Sequence, residues 1–411
     1  MWFWSENHAL MFHTCQLLAG ELFPDEVFTN SGLTGRQMQA KAKNMLYDWF
    51  VTFRKEGFTE WNSSPYLPID TLGFGSLYAF AQDPAMRELG REGMDFAYYL
   101  LAVHSQQGIF ASSSGRTYIK EQFGNWSNCP SGLSWIGYGY GVPGHAGKGI
   151  TSYCLSDYEP PKEFAQWFSI PRGKEMICQT THGNDGYVDL YTYKTADYMM
   201  TSANDFHPGE PGHQENPFQL TFNAVAQLWV THPGERVLFG AARPSYWAGN
   251  GTLPKVNQYK AFAGLIYDIA PEHPVDFTHL YLPSMEFDRC EVEGKWAFVQ
   301  LGSAYAAVYC SNGMRMQDFG SNKDRECIAE GRRCIWLVRA AQADEFAAFE
   351  DFKAAMRGAV LDADAEGRRY RFVDPVYGEL RCQWGETLYV NDAPMQYSGF
   401  DNYGKLTMQE K

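Results

Sequence analysis

The chain has 411 residues, of which 45% are apolar and 16% aromatic, as expected for a globular protein with large cores. Its formal net charge of −14 at pH 7, without a basic face, argues against a nucleic-acid partner. The sequence contains no stretch of about 18 apolar residues, the length that spans a membrane. Its first residues lack the basic and apolar regions of a signal peptide. Nine scattered cysteines without a C-x-x-C pair predict reduced, buried thiols, and so a reducing compartment such as the cytoplasm.

The first hundred residues predict helical hairpins with short connections. Apolar residues recur at the helical period, and cap residues precede two of the segments. The predicted helices are Glu6–Ala19, Thr34–Phe53, Ile69–Ala81 and Pro84–His104. Ser5 is the predicted N-cap of the first helix and Gly20 its predicted end, whereas Asp83 caps the fourth.

Residues 108–160 have a different composition, rich in Gly, Ser, Tyr and Trp. We interpret them as long loops with one or two helices. Aromatic, glycine-rich loops between helices often line a cleft, although plain surface loops share this composition.

After Pro160-Pro161 the pattern changes to period two, with turn signals between short apolar runs. The predicted strands are Glu175–Thr180, Tyr187–Lys194, Gln219–Phe222, Ala226–Thr231, Val237–Ala241, Phe262–Ile269, Ala297–Leu301, Ala306–Cys310, Arg369–Val373, Arg381–Trp384 and Thr387–Val390. One amphipathic helix, Ala343–Arg357, interrupts them. The sequence therefore predicts an α+β fold, with a helical domain at residues 1–165 and a large antiparallel β domain of stacked sheets at residues 166–411.

Two short motifs carry residues suited to removing a proton beside a carboxylate: Ser5-Glu6-Asn7-His8 and Asn62-Ser63-Ser64-Pro65-Tyr66. A lyase of uronic acids takes the proton at C5 and expels the C4 oxygen, so it must first neutralise the carboxylate. Asn7 offers an amide donor, His8 a donor or a base, and Tyr66 a base or an acid. The alternative interpretation is a helix cap, a core histidine and a packing tyrosine.

Together with Ser114-Gly115-Arg116-Thr117-Tyr118, these motifs resemble the heparinase II/III-type and oligoalginate-lyase group of polysaccharide lyases. The resemblance implies a partial (α/α) toroid of helical hairpins followed by a β-sandwich. It also implies that Asn7 and His8 neutralise the substrate carboxylate and that Tyr66 transfers the proton. Further candidates for substrate binding are Glu6, Arg116 and Tyr118.

The β half carries a weaker likeness in Gly212-His213-Gln214-Glu215-Asn216, which resembles the group's His-x-His-x-Asp strand. Glu215 stands where the second histidine would be, and His232-Pro233-Gly234 replaces an Asp-Pro-Gly turn. In the group, that motif helps to hold a structural metal or the substrate. Because this chain departs from the motif, no cofactor is predicted here, and His213 is assigned to substrate binding. A metal site built from His207, His213 and Glu215 matches no zinc spacing.

The resemblance also implies a second tyrosine from the β domain, for which the candidates are Tyr246 and Tyr259. Nothing in the sequence decides between Tyr246 and Tyr259. Arg243, Lys255 and Lys260 lie nearby in the sequence. They predict either a locally basic region that suits an anionic sugar or ordinary solvated surface charges.

Three functions stay open at this point, each with a polysaccharide or oligosaccharide as partner. The first is a lyase that cleaves a uronic-acid-containing glycan by β-elimination. The second is a glycoside hydrolase on a similar toroid, with a carboxylate pair such as Glu6 and Asp70. Acidic net charge favours this second function slightly, because it suits a neutral substrate. The third is a non-catalytic glycan-binding protein derived from a lyase.

A toroid of this kind has more helices than are predicted here, and four residues precede the Ser5 motif. We therefore expect either a fragment or an open arc of helices that a second copy or a partner chain completes. An open arc leaves apolar helix faces uncovered.

An uncovered arc predicts that the isolated chain forms a homodimer or dissolves poorly. Analytical ultracentrifugation checks this prediction, with a dimer as the expected species. A stable, monodisperse monomer would contradict it.

Overall fold

The computed structural model describes residues 5–122, 127–143, 147–183, 187–234, 246–248 and 251–411. Within these residues the amino-terminal part is helical and the rest is mostly strand. The helices are α1 (Glu6–Leu22), α2 (Gly35–Glu56), α3 (Leu67–Phe80), α4 (Pro84–Val103), α5 (Ile119–Gln122), α6 (Ser131–Tyr138), α7 (Ile150–Cys154), α8 (Ala165–Phe168) and α9 (Phe349–Gly358). None of the helices in the described residues has the length and apolar character that crossing a membrane requires.

The first two helices pack closely because two glycines face each other. A Cβ atom on Gly20 would come within 2.6 Å of the Gly35 carbonyl oxygen. Gly20 therefore lies inside α1, and the prediction that it ends the helix is wrong. A reciprocal capping box between Thr34 and Gln37 begins α2. Asp83 caps α4 as predicted, accepting a hydrogen bond from the Ala85 N–H at 2.9 Å.

Aromatic rings fill the core between the long helices. Phe53 on α2 contacts the rings of Phe50, Phe58, Phe74 and Phe96, with centroid separations of 5.2 to 5.7 Å. Aromatic pairs at such separations add to the stability that their burial gives. This packing fixes α3, and with it the loop that precedes α3, against α2 and α4.

The strands form three large sheets and one short pair. They are β1 (Val27–Phe28), β2 (Leu33–Thr34), β3 (Lys174–His182), β4 (Val188–Lys194), β5 (Met199–Asn204), β6 (Phe218–Thr221), β7 (Gln227–Thr231), β8 (Lys255–Tyr259), β9 (Phe262–Asp268), β10 (Phe277–Tyr281), β11 (Arg289–Glu293), β12 (Trp296–Leu301), β13 (Ala304–Cys310), β14 (Arg315–Met316), β15 (Glu326–Glu330), β16 (Arg333–Gln342), β17 (Leu361–Asp364), β18 (Arg369–Asp374), β19 (Gly378–Gln383), β20 (Tyr389–Val390), β21 (Ala393–Pro394) and β22 (Lys405–Glu410).

Neighbouring strands run antiparallel, as the alternating pattern predicted. Among the described residues the three large sheets have the orders β14-β15-β10-β7-β6-β5-β4-β3-β22, β11-β12-β13-β16-β9-β8 and β17-β18-β19-β20-β21. One apolar core joins all three, with Leu220, Leu265 and Phe372 as buried members from the first, second and third sheet. The predicted order of helices followed by antiparallel sheets is therefore confirmed.

Some predicted boundaries are wrong. Helix α9 begins at Phe349 rather than Ala343, because the Ala343 N–H donates to the Ser303 carbonyl oxygen at 2.9 Å in the β part. Strands β5 and β16 were not predicted, since they are buried along nearly their whole length and show no alternation. The predicted strand Val237–Ala241 lies outside the described residues.

The helical and β parts meet through buried polar contacts. Lys194 on β4 is fully buried, and its Nζ donates to the carbonyl oxygens of Ala102, at 3.0 Å, and of Trp167. His104 Nδ1 lies 2.9 Å from Thr192 Oγ1. Because an unpaired buried polar group is costly, these bonds hold the end of α4 against the nine-stranded sheet.

Apolar side chains are exposed on the first two helices. Leu22, Phe23, Met45 and Val51 are 40–69% exposed. An open arc of helices would show such residues, and association with a second chain stays a prediction.

The glycine that ends α2 gives a test of the contact between the two parts. Gly57 has φ +65° and ψ −147°, a region that glycine alone adopts readily, and a Cβ atom there would lie 2.4 Å from His182 Nδ1. We expect Gly57→Ala to lower the free energy of unfolding by about 3 kcal/mol, from backbone strain and from displacement of His182.

Urea unfolding of wild type and variant measures this loss. Gly139 is a matched control, because it also ends a helix with a positive φ of +73° but has no atom within 4 Å of an added Cβ. Gly139→Ala should cost about 1 kcal/mol. Equal losses in the two variants would rule out the contact with His182 as the cause.

Candidate active site

The amino end of α1 carries the motif Ser5-Glu6-Asn7-His8. Ser5 occupies the predicted N-cap position, but its hydroxyl caps no main-chain N–H of the described residues. The hydroxyl lies 3.2 Å from Asn7 Oδ1 and 2.5 Å from His8 Nδ1. Asn7 is 6% exposed, whereas His8 faces solvent. Ser5 therefore orients the amide and the imidazole of the two candidate residues.

Tyr66 lies immediately before α3, in the loop position that the sequence predicted. Its hydroxyl oxygen is 3.2 Å from that of Tyr118, so two of the candidate residues form a hydrogen-bonded pair. Burial, followed by the hydrogen bond with Tyr118, raises the pKa of Tyr66 to about 12. Tyr66 therefore carries its proton in neutral solution.

Arg116 joins the helical part to the β part at this position. Its Nε lies 3.0 Å from Glu60 Oε1, and its Nη1 donates to Gln214 Oε1 at 3.0 Å. The adjoining main chain is paired as well, because Ser114 and Asn216 exchange two hydrogen bonds of 2.8 and 2.7 Å. The loop that carries Arg116 and Tyr118 is thus attached to the loop that carries His213.

Three carboxyl groups lie within electrostatic reach of one another: Glu6, Glu60 and Asp70. Glu6 accepts a hydrogen bond from the Thr59 N–H at 3.0 Å, yet burial raises its pKa to about 7. Asp70 is 2% exposed, and burial together with the charges of Glu6 and Glu60 raises its pKa well above the ordinary range. A carboxyl group buried in this way cannot flank a glycosidic bond, so the predicted hydrolase pair of Glu6 and Asp70 is not assembled.

A cavity of about 470 Å³ opens beside these groups. Its walls include Ser5, Glu6, Trp49, Glu60 and Arg116. Trp49 Nε1 donates to the Glu6 carbonyl oxygen at 3.2 Å, which fixes the indole against the start of α1. An aromatic wall with a few convergent polar groups is the usual composition of a small-molecule site.

His213 lies in the loop that contacts Arg116, with an exposed imidazole. Its main-chain N–H donates to the Glu215 carboxylate. His207 does not join it, because its Nδ1 lies 3.5 Å from Glu210 Oε2. No group of three or more His, Cys, Asp or Glu side chains among the described residues is arranged to hold a metal ion.

Tyr246, one of the two candidate tyrosines of the β part, is connected to the segment that follows Tyr118. Its hydroxyl donates to Glu326 Oε1 at 2.5 Å. The carbonyl oxygen of the next residue, Trp247, lies 2.9 Å from the side-chain amide of Gln122, one turn after Tyr118, and accepts a hydrogen bond when the NH₂ group of that amide faces it. Burial and then the bond to Glu326 raise the pKa of Tyr246 above its ordinary value.

Tyr259, the other candidate, lies in a different environment. It ends β8, and its ring packs edge-to-face on Tyr377 with the centroids 5.4 Å apart. Tyr377 belongs to the turn between β18 and β19, in the five-stranded sheet. Of the two candidates, Tyr246 adjoins the segment that contacts Gln122, whereas Tyr259 packs against the five-stranded sheet.

The two candidate lysines are compensated inside the protein. Lys255 is 3% exposed and pairs with Asp205, and Lys260 Nζ lies 2.7 Å from Glu175 Oε1. Of the two alternatives, the locally basic region is therefore wrong for these two residues. Arg243, the third residue of that prediction, lies outside the described residues.

Three residues near the site were not predicted: Glu60, His279 and Glu326. Glu60 could have been found from its position two residues before the Asn62 motif, since a candidate arginine needs a counter-charge. His279 Nδ1 is 2.7 Å from Glu326 Oε1 although the residues are 47 apart in the chain. That contact depends on the pairing of β10 with β15, which no local pattern encodes.

No protein-family model and no curated protein sequence matches the chain. Over nearly its whole length it is similar in fold to solved lyase structures. They are a heparinase III gene product (12% identity, TM-score 0.38, 98% of this chain and 66% of that one), a heparinase III (8%, 0.41, 93% and 67%) and the heparan sulfate lyase HepC from Pedobacter heparinus (11%, 0.39, 95% and 67%). The chain spans about two thirds of the length of each. The resemblance predicted from the sequence is confirmed as a similarity of fold.

The raised pKa of Glu6 predicts a stability term that depends on pH. A carboxyl group with a folded-state pKa of about 7, against 4.5 in the unfolded chain, holds its proton more tightly when folded. Its contribution is fully present below pH 4.5 and is lost as the pH rises through 7. Because Glu6 is partly exposed, we expect a loss of about 1–2 kcal/mol relative to Glu6→Gln.

Urea unfolding of wild type and Glu6→Gln across this pH range measures the difference. Glu26→Gln, at an exposed position close to the end of α1, is the matched control and should run parallel to wild type. A pH-independent difference between wild type and Glu6→Gln would contradict the prediction.

Proposed function

We propose that this protein cleaves a uronic-acid-containing polysaccharide by β-elimination. The observation that carries the proposal is the hydrogen-bonded Tyr66–Tyr118 pair beside Arg116, which Glu60 and Gln214 hold in place. The start of α1 is tied to the same segment through Glu6, which precedes Asn7 and His8 and accepts a hydrogen bond from the Thr59 N–H at 3.0 Å. In this proposal residues 1–165 form a partial (α/α) toroid and residues 166–411 a β-sandwich.

The hydroxyl of Ser5 supports a proton assignment for the two residues beside it. A hydroxyl has one proton, and donation to Asn7 Oδ1 at 3.2 Å leaves the Ser5 oxygen to accept from the His8 Nδ1–H. His8 Nε2 then has a free lone pair, and Asn7 Nδ2 is left as a donor. Asn7 therefore binds the substrate carboxylate, and His8 is the base.

Tyr66 is the acid of the proposed reaction. The C5 proton passes to His8 Nε2, the C5–H electrons form the C4–C5 double bond, and the C4–O bond breaks. The departing C4 oxygen takes the proton of Tyr66, which the hydroxyl holds in neutral solution. The hydrogen bond with Tyr118, at 3.2 Å, orients the Tyr66 hydroxyl, and the charge of Arg116 favours the phenolate that results.

The electrostatics of the site suit an anionic substrate despite the acidic composition. Glu60 is paired with Arg116, the raised pKa of Asp70 keeps its proton near neutral pH, and the raised pKa of Glu6 leaves that group partly protonated there. Fewer negative charges therefore oppose a uronate than the net charge of −14 suggests. His213 and Tyr246 are proposed to contact neighbouring sugars.

The substitution Tyr66→Phe tests the proposed acid. We expect kcat to fall by about 10²–10⁴-fold with a smaller change in KM, because the variant lacks the transferable proton and keeps the ring. Ultraviolet absorbance of the unsaturated product measures the rate on a panel of uronic-acid glycans, heparan sulfate among them. Tyr47→Phe, at a tyrosine 43% exposed on α2, is the matched control and should keep the wild-type rate.

The products distinguish the rival functions in the same assay. New reducing ends without ultraviolet absorbance would replace the lyase with a glycoside hydrolase. Binding of glycans without either product would identify a non-catalytic glycan-binding protein. Full activity of Tyr66→Phe would remove Tyr66 from the reaction.

A further inference from the structure

A second cavity, of about 700 Å³, lies in the β part away from the Tyr66 site. It is formed by the loop at residues 208–210, the end of β9, the turn before β16 and the turns of the five-stranded sheet. The residues that matter here are Glu210, Asp268, Arg332, Arg333, Arg368 and Trp384. We call this cavity the arginine groove.

Three arginines and three carboxylates line the arginine groove. Asp268 pairs with Arg333 at 3.0 Å and with Arg368 at 2.8 Å, and Arg333 also pairs with Glu366 at 2.7 Å. Arg332 instead donates to two main-chain carbonyl oxygens, at 3.0 and 2.9 Å, which carry no formal charge. Within the described residues no ion pair compensates Arg332, so its guanidinium group is the one that attracts an anion.

Trp384 supplies an apolar wall beside these charges. The Arg368 guanidinium lies over its ring, 5.5 Å from the centroid. The bare main chain of Gly209 approaches the indole edge, where an added Cβ would lie 3.3 Å from Cζ2. An indole packs well against the C–H face of a sugar ring, and guanidinium groups bind carboxylate or sulfate oxygens in pairs.

We propose that the arginine groove is a second binding site for an acidic oligosaccharide. The indole of Trp384 packs against the C–H face of a sugar ring, and Arg332 and Arg368 bind the carboxylate or sulfate group of that sugar. The choice of an acidic glycan rests on the proposed function, whereas binding in the groove requires no catalysis.

One loop runs from the arginine groove to the candidate active site. Glu210 lines the groove, and Gln214 bonds to Arg116 in the candidate active site. Four residues span at most about 14 Å, so the Cα atoms of Glu210 and Gln214 are no farther apart than this. Gly209 and Glu210 are pinned to Leu253 by main-chain hydrogen bonds of 2.9 and 2.8 Å, so the wall is preformed.

Fluorine NMR of the full chain labelled with fluorotryptophan tests the proposal. The chain has 12 tryptophans, and the Trp384 signal is identified by its loss in Trp384→Phe. We expect an unsulfated oligogalacturonate to shift this signal saturably and a neutral oligosaccharide of equal length to leave it unchanged. Titrations are made in the Tyr66→Phe background, so that cleavage does not consume the probe.

Arg368→Gln should weaken the binding read at Trp384 about tenfold, through loss of the charge-assisted contact. Arg357→Gln is the matched control, because Arg357 also lies over an aromatic ring, Phe298, and pairs with a carboxylate. Calorimetric titration of Arg368→Gln gives the same comparison without the Trp384 variant, should that variant fail to fold.

An unmoved Trp384 signal, or an equal response in Arg368→Gln and wild type, would overturn the proposal. A shift with polyglutamate but not with the glycan would also overturn it in favour of an acidic peptide. If the wild type forms no unsaturated product but the Trp384 signal still titrates with the uronate, the lyase proposal fails and the groove proposal stands.

Discussion

The site depends on the junction between the loop at residues 114–117 and the loop at residues 214–216. Three main-chain hydrogen bonds of 2.7 to 3.0 Å connect them, and Arg116 adds a bond to Gln214 on one side and an ion pair with Glu60 on the other. A buried main-chain group that lost its partner would be costly, so the two loops hold each other in register. Tyr118, two residues after Arg116, is thereby kept within hydrogen-bonding distance of Tyr66.

Burial reduces the negative charge of the carboxyl groups near the candidate site. A chain with a net charge of −14 would repel an acidic polymer, and three carboxyl groups lie close to the candidate site. Two of them, Glu6 and Asp70, are desolvated enough for their pKa values to rise, and the third is paired with Arg116. A protonated Asp70 and a partly protonated Glu6 leave Arg116 and the start of α1 to set the local potential.

The sequence predicted the local parts of this arrangement and missed the long-range ones. The helix start at Glu6 and the loop position of Tyr66 follow from caps and periodicity, which depend on neighbours in the chain. Gly20 was misread as a helix end because its role is to admit another helix. The lysines for which a basic region was one of two alternatives are paired with Asp205 and Glu175, acids brought opposite them only by the fold. Which carboxylate faces which cation is a property of strand register, and a single sequence does not display it.

An arginine of the β part, rather than Lys255 or Lys260, has a charge that can bind an anion. The two lysines each have a carboxylate partner, whereas Arg332 donates to main-chain carbonyl oxygens. Neutral carbonyl oxygens leave the charge of Arg332 uncompensated, and a planar guanidinium group keeps donors free while so engaged. The loop that lines the arginine groove also reaches Arg116, so each cavity is bordered by a guanidinium group fixed by its own acid. An acidic polymer would gain from these guanidinium groups as well as from the aromatic walls, whereas a neutral chain would gain from the aromatic walls alone.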